Sequence, residues 1–286
     1  MKVHRFQLFA LLVVSAVALP AQTPRRIVSL SPNMTELLYG VGAFSQLVGV
    51  SDYSSYPPEV NKLPSVGGWR NPDFERLVTL HPDLIVMDDG QAPFIEDKCK
   101  ELGLKVLVAA DQSIQEVYAA IAAVGRETGH EAEAAKLALT TREGLLRVSQ
   151  RTASLPKTKV ALIVDRTPGT LRDLYTATEG SFLAELVEIA GGRIALQQAK
   201  GTKRGYAKLS KEDLLAADPD VILDFIHGVK SRFAGDPMEA WSEMPELKAV
   251  RTRRVFGVNE DYVPHASQRI VQTAELFAHL IHPEAK

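Results

Sequence analysis

The 286-residue chain contains one cysteine, Cys99. A lone thiol forms no internal disulfide, so the fold must rest on its hydrophobic core. Cys99 falls in the helical stretch 94–102 and reads as a partly buried structural thiol. Basic runs and aromatic–basic interleaving are also missing, so nucleic acid is not an expected partner. Motifs that carry catalysis are absent as well. There is no Walker-type phosphate loop, no Gly-x-Gly-x-x-Gly after a strand, no Gly-x-Ser-x-Gly elbow, no His-Glu-x-x-His and no cysteine cluster. Past the first residues the histidines are scattered (His81, His130, His227, His265, His279 and His282), and their spacing supports no metal site. Beyond that N-terminal stretch, no run is long and apolar enough to span a bilayer.

Residues 1–21 read as a secretory signal peptide. Lys2 and Arg5 form a basic start, Phe9 to Leu19 an uncharged apolar run, and Ala21 a small residue suited to cleavage. No cysteine follows the run, so a lipid anchor is not expected. The mature protein is expected to be soluble, exported and monomeric. Losing Lys2 and Arg5 leaves 31 basic against 35 acidic residues, a mildly acidic balance.

Apolar runs at 26–30, 47–50, 105–108, 159–164, 174–178 and 254–258 read as strands. Helical patterns lie between them. Ser31-Pro32 opens one of these helices, and Ser113 with Glu116 forms a capping box for another. The alternation predicts an α/β fold: two α/β lobes of similar plan, each with a central, mostly parallel sheet. A helical segment without strand signal, 130–153, is expected to join lobes 25–129 and 158–282. Gly144 is the one residue that argues against an unbroken helix there. The last helix is expected over 265–281, with Ile270, Ala274, Phe277 and Ile281 on one face.

One phrase occurs twice. Residues 75–86 read ERLVTLHPDLIV and residues 212–223 read EDLLAADPDVIL, with five identities in twelve positions. Coincidence is the plain alternative, since helix, Pro-Asp and buried strand is a common α/β connection. A structural repeat explains it better. Asp73 or Asn71 suits the cap of the first helix and Ser210 that of the second, which puts Glu75 and Glu212 in first turns. There an acid complements the helix dipole, for about 0.3–1 kcal/mol at exposed sites. Their matched placement also suits two acidic knobs that dock on a two-fold symmetric basic partner.

Loops hold the other candidates. Tyr53, Tyr56 and Trp69 lie between a strand and the first phrase, and Arg70 follows Trp69. Trp69 precedes Glu75 by six positions, as Tyr206 precedes Glu212. A symmetric aromatic pair would face across a cleft and suit a large flat ligand, although each ring alone would serve equally as packing. Asp261 and His265 lie between a strand and the last helix, where open α/β sheets bind ligands and where an acid also serves a helix start. An acid/base pair in an exported enzyme, or a metal-ion receptor, are the other readings of these residues.

The ordered segments RIVSLSPNMTELLYGVG, LVGVSDYSSYPPEV, VGGWRNPDFERLVTLHPDLIV, LSKEDLLAADPDVIL and NEDYVPHASQRI carry a resemblance. From about Arg25 to Ile281 the chain resembles the periplasmic binding proteins of ABC importers for cobalamin and iron–siderophore complexes, most of all the cobalamin type. The resemblance implies two lobes on one long helix and no catalysis or cofactor. It also implies a transported corrinoid or other metal chelate, haem and ferric siderophores included. Tyr53, Trp69 and Asp261 match ligand-contact positions. Tyr206 stands where a Trp is expected and His265 where an Arg is expected. Glu75 and Glu212 match the glutamates that dock on a dimeric ABC permease.

Overall fold

The computed structural model describes residues 23–196, 205–225 and 237–284. The expected signal peptide and His227 lie outside the described residues.

The first lobe alternates β1 (Ile27–Ser29), α1 (Pro32–Gly40), β2 (Leu47–Val50), α2 (Phe74–Thr79), β3 (Leu84–Asp88), α3 (Ala92–Glu101) and β4 (Val106–Ala109). Its strands pair in parallel in the order β2-β1-β3-β4. Two helices follow, α4 (Ile114–Thr128) and α5 (Glu131–Thr152). The second lobe contains β5 (Thr158–Asp165), β6 (Tyr175–Ala177), α6 (Phe182–Ile189), β7 (Gly192–Ile194), β8 (Tyr206–Lys208), α7 (Lys211–Ala217), β9 (Val221–Phe225), α8 (Pro237–Trp241), α9 (Lys248–Arg251), β10 (Val255–Val258) and α10 (Ile270–Ile281).

The two lobes share a plan. In the second, β7, β5, β9 and β10 pair in parallel in that order, which reproduces β2-β1-β3-β4. To this it adds an antiparallel ribbon, with β6 on the upper half of β5 and β8 on β6. The sheets are therefore mostly parallel, as expected.

Strand residues alternate between two packed faces, which is why these runs are apolar throughout. In the first lobe Ile27, Leu84 and Val86 enter the central core, while Val28, Ile85 and Met87 pack with Leu77, Ile95 and Cys99 on the outer face. In the second, Val160, Leu162, Val221 and Leu223 face the central core, and Ala161, Ile163 and Ile222 face Leu214 and Trp241. The central core is continuous through α1, α4, α5, α6 and α10. Cys99 is fully rather than partly buried, and burial with the nearby Glu96 charge pushes its thiol up to about 11.

The repeated phrase has one geometry in both lobes. Asp73 caps α2 through the Arg76 N–H, and Ser210 caps α7 through the Asp213 N–H. After each helix, the residue before proline takes a left-handed conformation: His81 at φ 46° and Asp218 at φ 38°. The next carboxylate then holds the start of the neighbouring strand. Asp83 accepts the Arg25 and Arg26 N–H groups at 2.8 and 3.0 Å, and Asp220 accepts that of Lys159 at 2.9 Å. The "Pro-Asp" is thus a device that sets strand register at one end of each sheet.

Helix α5 runs unbroken through Gly144, and Val271 of α10 packs where a side chain there would stand. Helix α10 starts at Ile270, not at 265. Residues 265–269 are spent instead on side-chain bonds to the first lobe, described below. Strands β7 (GRI) and β8 (YAK) and the short α8 and α9 lack an apolar run or a periodic pattern and left no sequence signal.

Candidate functional site

Loops that leave the C-terminal ends of parallel strands are where open α/β sheets bind ligands. Here they bring together the first group of candidates. Trp69 lies in the segment between β2 and α2 and is anchored at both ends. Its indole N–H donates to Asp88 Oδ2 at 3.0 Å, and its carbonyl accepts from Gln91 Nε2 at 2.8 Å. Gln91 is fully buried and its amide also donates to the Leu30 carbonyl. Asp88 ends β3, nearly buried. Burial raises its carboxyl pKa, with the Trp69 and Gln91 N–H groups opposing the rise.

Around Trp69 lie exposed groups. Arg70 places its guanidinium 5.5 Å from the Trp69 ring centroid and 5.0 Å from that of Phe94. The Trp69 and Phe94 rings are 6.5 Å apart, and Phe94 is 54% exposed. Tyr53, 63% exposed, comes close to Gly68 beside Trp69. Tyr53, Trp69 and Arg70 therefore share one aromatic, cationic rim, with Phe94 as a member that the sequence reading did not single out. Large exposed aromatics are costly to leave in water and are an ordinary mark of a binding surface.

Tyr206 is placed differently from Trp69. It opens strand β8 opposite Ala177 and packs partly buried against the central core. Gly205 before it has φ 65°, and a Cβ there would come within 2.4 Å of the Ser181 backbone N. Burial and the charge of Asp111, from the end of the first lobe's sheet, raise the Tyr206 phenol pKa. Tyr206 is thus held in the second lobe with its surroundings completed by the first.

Asp261 and His265 lie in the turn between β10 and α10. Asp261 is exposed and accepts the Ser55 hydroxyl of the first lobe at 2.7 Å. His265 is largely buried, and its Nδ1 is 2.8 Å from Glu36 Oε1 in α1. The imidazole is therefore engaged by the first lobe rather than by Asp261. The guanidinium near Asp261 belongs to Arg269, whose Nη2 is 3.5 Å from Asp261 Oδ1. Sequence reasoning missed Glu36 and Arg269. The signal was available: Glu36 is the one acid in an otherwise uncharged helical run, PNMTELLYG. Glu75 and Glu212 stand exposed in the first turns of α2 and α7. Among the described residues, no cluster of His, Cys, Asp and Glu could hold a metal ion, and no helix is long and apolar enough to cross a membrane.

Two α/β lobes of repeated plan, packed through shared helices and lined by binding-type loops where they meet, define a two-lobed binding protein by architecture. The chain belongs to the periplasmic binding protein family, whose profile matches residues 27–262. It is 29% identical over 266 residues to an uncharacterized ABC transporter substrate-binding lipoprotein, YvrC, of Bacillus subtilis (strain 168), covering 91% of this chain and 81% of that one. It is also 29% identical over 269 residues to the vitamin B12-binding protein of Yersinia pestis (strain Pestoides F), covering 93% and 89%. Among solved structures, the periplasmic vitamin B12 binding protein BtuF of Vibrio cholerae matches with a TM-score of 0.76 at 25% identity, over 91% of this chain and 97% of that one.

Proposed function

We propose that this chain is the periplasmic substrate-binding component of an ABC importer and carries a corrinoid between its lobes. The observation that carries this reading is the rim of Tyr53, Trp69, Arg70 and Phe94. An indole fixed at both ends and flanked by a cation offers a rigid flat face with a polar edge, suited to a large planar ligand. Relatives named for vitamin B12 binding support that ligand class. Tyr206 and Asp261 would complete the site from the second lobe, with His265 behind Asp261. In this reading residues 1–21 are removed on export, and lobes 25–129 and 158–282 are joined by the helix at 130–153. Glu75 and Glu212 meet the two halves of a dimeric permease, and the protein acts as a monomer without catalysis.

The test is calorimetric titration of the mature protein with cyanocobalamin. One-to-one binding is expected, weakened at least about tenfold, or 1.4 kcal/mol, by Trp69→Ala. Absence of heat with cyanocobalamin, alongside binding of hemin or a ferric siderophore, would move the ligand while keeping the carrier. Turnover of a substrate without retention would favour the exported enzyme instead.

A further inference from the structure

Glu36 sits in α1 of the first lobe with its side chain 1% exposed, yet among the described residues the side chains that donate to its carboxylate come from the second lobe. Oε1 meets His265 Nδ1 at 2.8 Å and Arg269 Nη1 at 2.9 Å, and Oε2 accepts the Ser267 hydroxyl. The Glu36 carbonyl accepts Gln268 Nε2 at 2.9 Å. These partners lie 229 or more positions away in sequence. A carboxylate is buried at such a place only when charge and hydrogen bonds compensate its lost hydration, and here one short turn supplies both.

Arg269 extends the contact. Its guanidinium lies 4.3 Å from the ring centroid of Tyr56, in the first lobe, and 4.8 Å from that of Tyr262, in the second. One Nη faces Glu36 and the other faces Asp261. Ser55 reaches Asp261 from the first lobe as well. The planar guanidinium is thus fixed edge-on by two acids and face-on by two rings, a placement that lysine's single ammonium does not reproduce.

We propose that Glu36 is an interlobe latch: it fixes the spacing of the lobes and, through Arg269, orients the Asp261 carboxylate. The second half rests on the reading of Asp261 as a ligand contact; the first half does not. The apolar core shared by α1, α4, α5, α6 and α10, and the bond from the Ile114 N–H to Glu185 Oε2 at 3.0 Å, join the lobes without Glu36. Losing the latch therefore frees the lobes to move without separating them.

The experiment is pulsed electron–electron resonance on the full mature chain, without ligand. Nitroxides go on Leu102→Cys and Leu215→Cys, exposed positions on the two lobes. Cys99 is fully buried and does not compete for the label. The unmutated latch should give one narrow distance distribution. Glu36→Gln, which keeps the shape but loses the charge, should broaden it. Arg269→Lys, which keeps the charge but loses the fork, should do the same and serves if Glu36→Gln does not fold. Asp173→Asn, at an exposed ion pair with Lys208, should leave the width unchanged. Unchanged widths in folded Glu36→Gln and Arg269→Lys overturn the latch, whatever the chain binds. For the orienting role the probe is cyanocobalamin. Glu36→Gln and Asp261→Asn should each weaken it about tenfold, with the double variant no weaker than either alone, as expected for residues acting as one unit. Additive losses overturn that role.

Discussion

The indole N–H of Trp69 points at Asp88 Oδ2, 3.0 Å away, across the gap between a loop and the end of β3. This bond joins the most prominent aromatic of the rim to a nearly buried carboxyl whose pKa is raised above 3.8, chiefly by burial. The folded state therefore holds the Asp88 proton to higher pH than the unfolded chain does. Between the unfolded and folded pKa values the folded state binds more protons, so its stability falls as pH rises from about 3.8. Melting temperatures of the wild type and Asp88→Asn across the acid range should test this. Asn breaks one of the two accepted bonds and lowers stability overall. The wild type should nevertheless lose stability relative to the variant on raising the pH through that window. Parallel curves would refute the assignment.

Asp83 and Asp220 should behave as equivalents. Each accepts backbone N–H at a strand start, two groups at Asp83 and one at Asp220, and follows a proline that comes after a left-handed residue; Asp220 also pairs with Lys248 Nζ at 2.6 Å. Asp83→Ala and Asp220→Ala should each cost roughly 1.5–3 kcal/mol, the range for a lost hydrogen bond to a charged group. Denaturant melts would show it. A loss at one site and none at the other would contradict the shared role.

Gly144 is a contact site rather than a weak point of α5. A Cβ there would lie 2.7 Å from a Val271 methyl of α10. Ala is the better helix former by about 1 kcal/mol, yet Gly144→Ala should destabilise by roughly 1–3 kcal/mol through overpacking. Val271→Ala should recover part of that loss. Stabilisation by the single substitution would show that the helices can move apart freely.

Glu75 and Glu212 are exposed in first turns, so Glu75→Ala with Glu212→Ala should cost no more than about 2 kcal/mol of stability, about 0.3–1 for each lost helix-dipole interaction. Ligand binding should be unaffected. Uptake through the permease should be lost, measured as accumulation of labelled ligand in cells that express the double variant normally. Retained uptake would remove the docking assignment.

Helix α5 packs against α4, α6 and α10 along its length, which resists bending between the lobes. Small-angle scattering of empty and cyanocobalamin-loaded protein should therefore show only a slight change in radius of gyration. A large compaction would mean that the lobes hinge.

Much of the architecture was legible in the sequence. Apolar runs with both faces buried stand out wherever a parallel strand is covered by helices, and Ser113 with Glu116 marked its helix start by a capping box that forms as expected. The twelve-residue phrase pointed to repeated lobes because the proline and the Pro-Asp carboxylate each require particular residues at fixed offsets. Strands β7 and β8, which lack an apolar run, left no such trace, and the start of α10 was misplaced because His265 to Arg269 obey a demand from elsewhere in the chain.

Local chemistry along the sequence thus determined where strands, caps and exposed acids fall, since those depend on neighbours a few positions away. It also placed Trp69, Tyr53 and Arg70 in one loop between β2 and α2. Only the tertiary structure decided that Trp69 is anchored by Asp88, that Tyr206 belongs to a strand, and that His265 and Arg269 converge on Glu36. The physical reason is distance along the chain. A buried carboxylate selects its donors by where the folded lobes bring them, and no periodicity or spacing links residue 36 to residues 265–269.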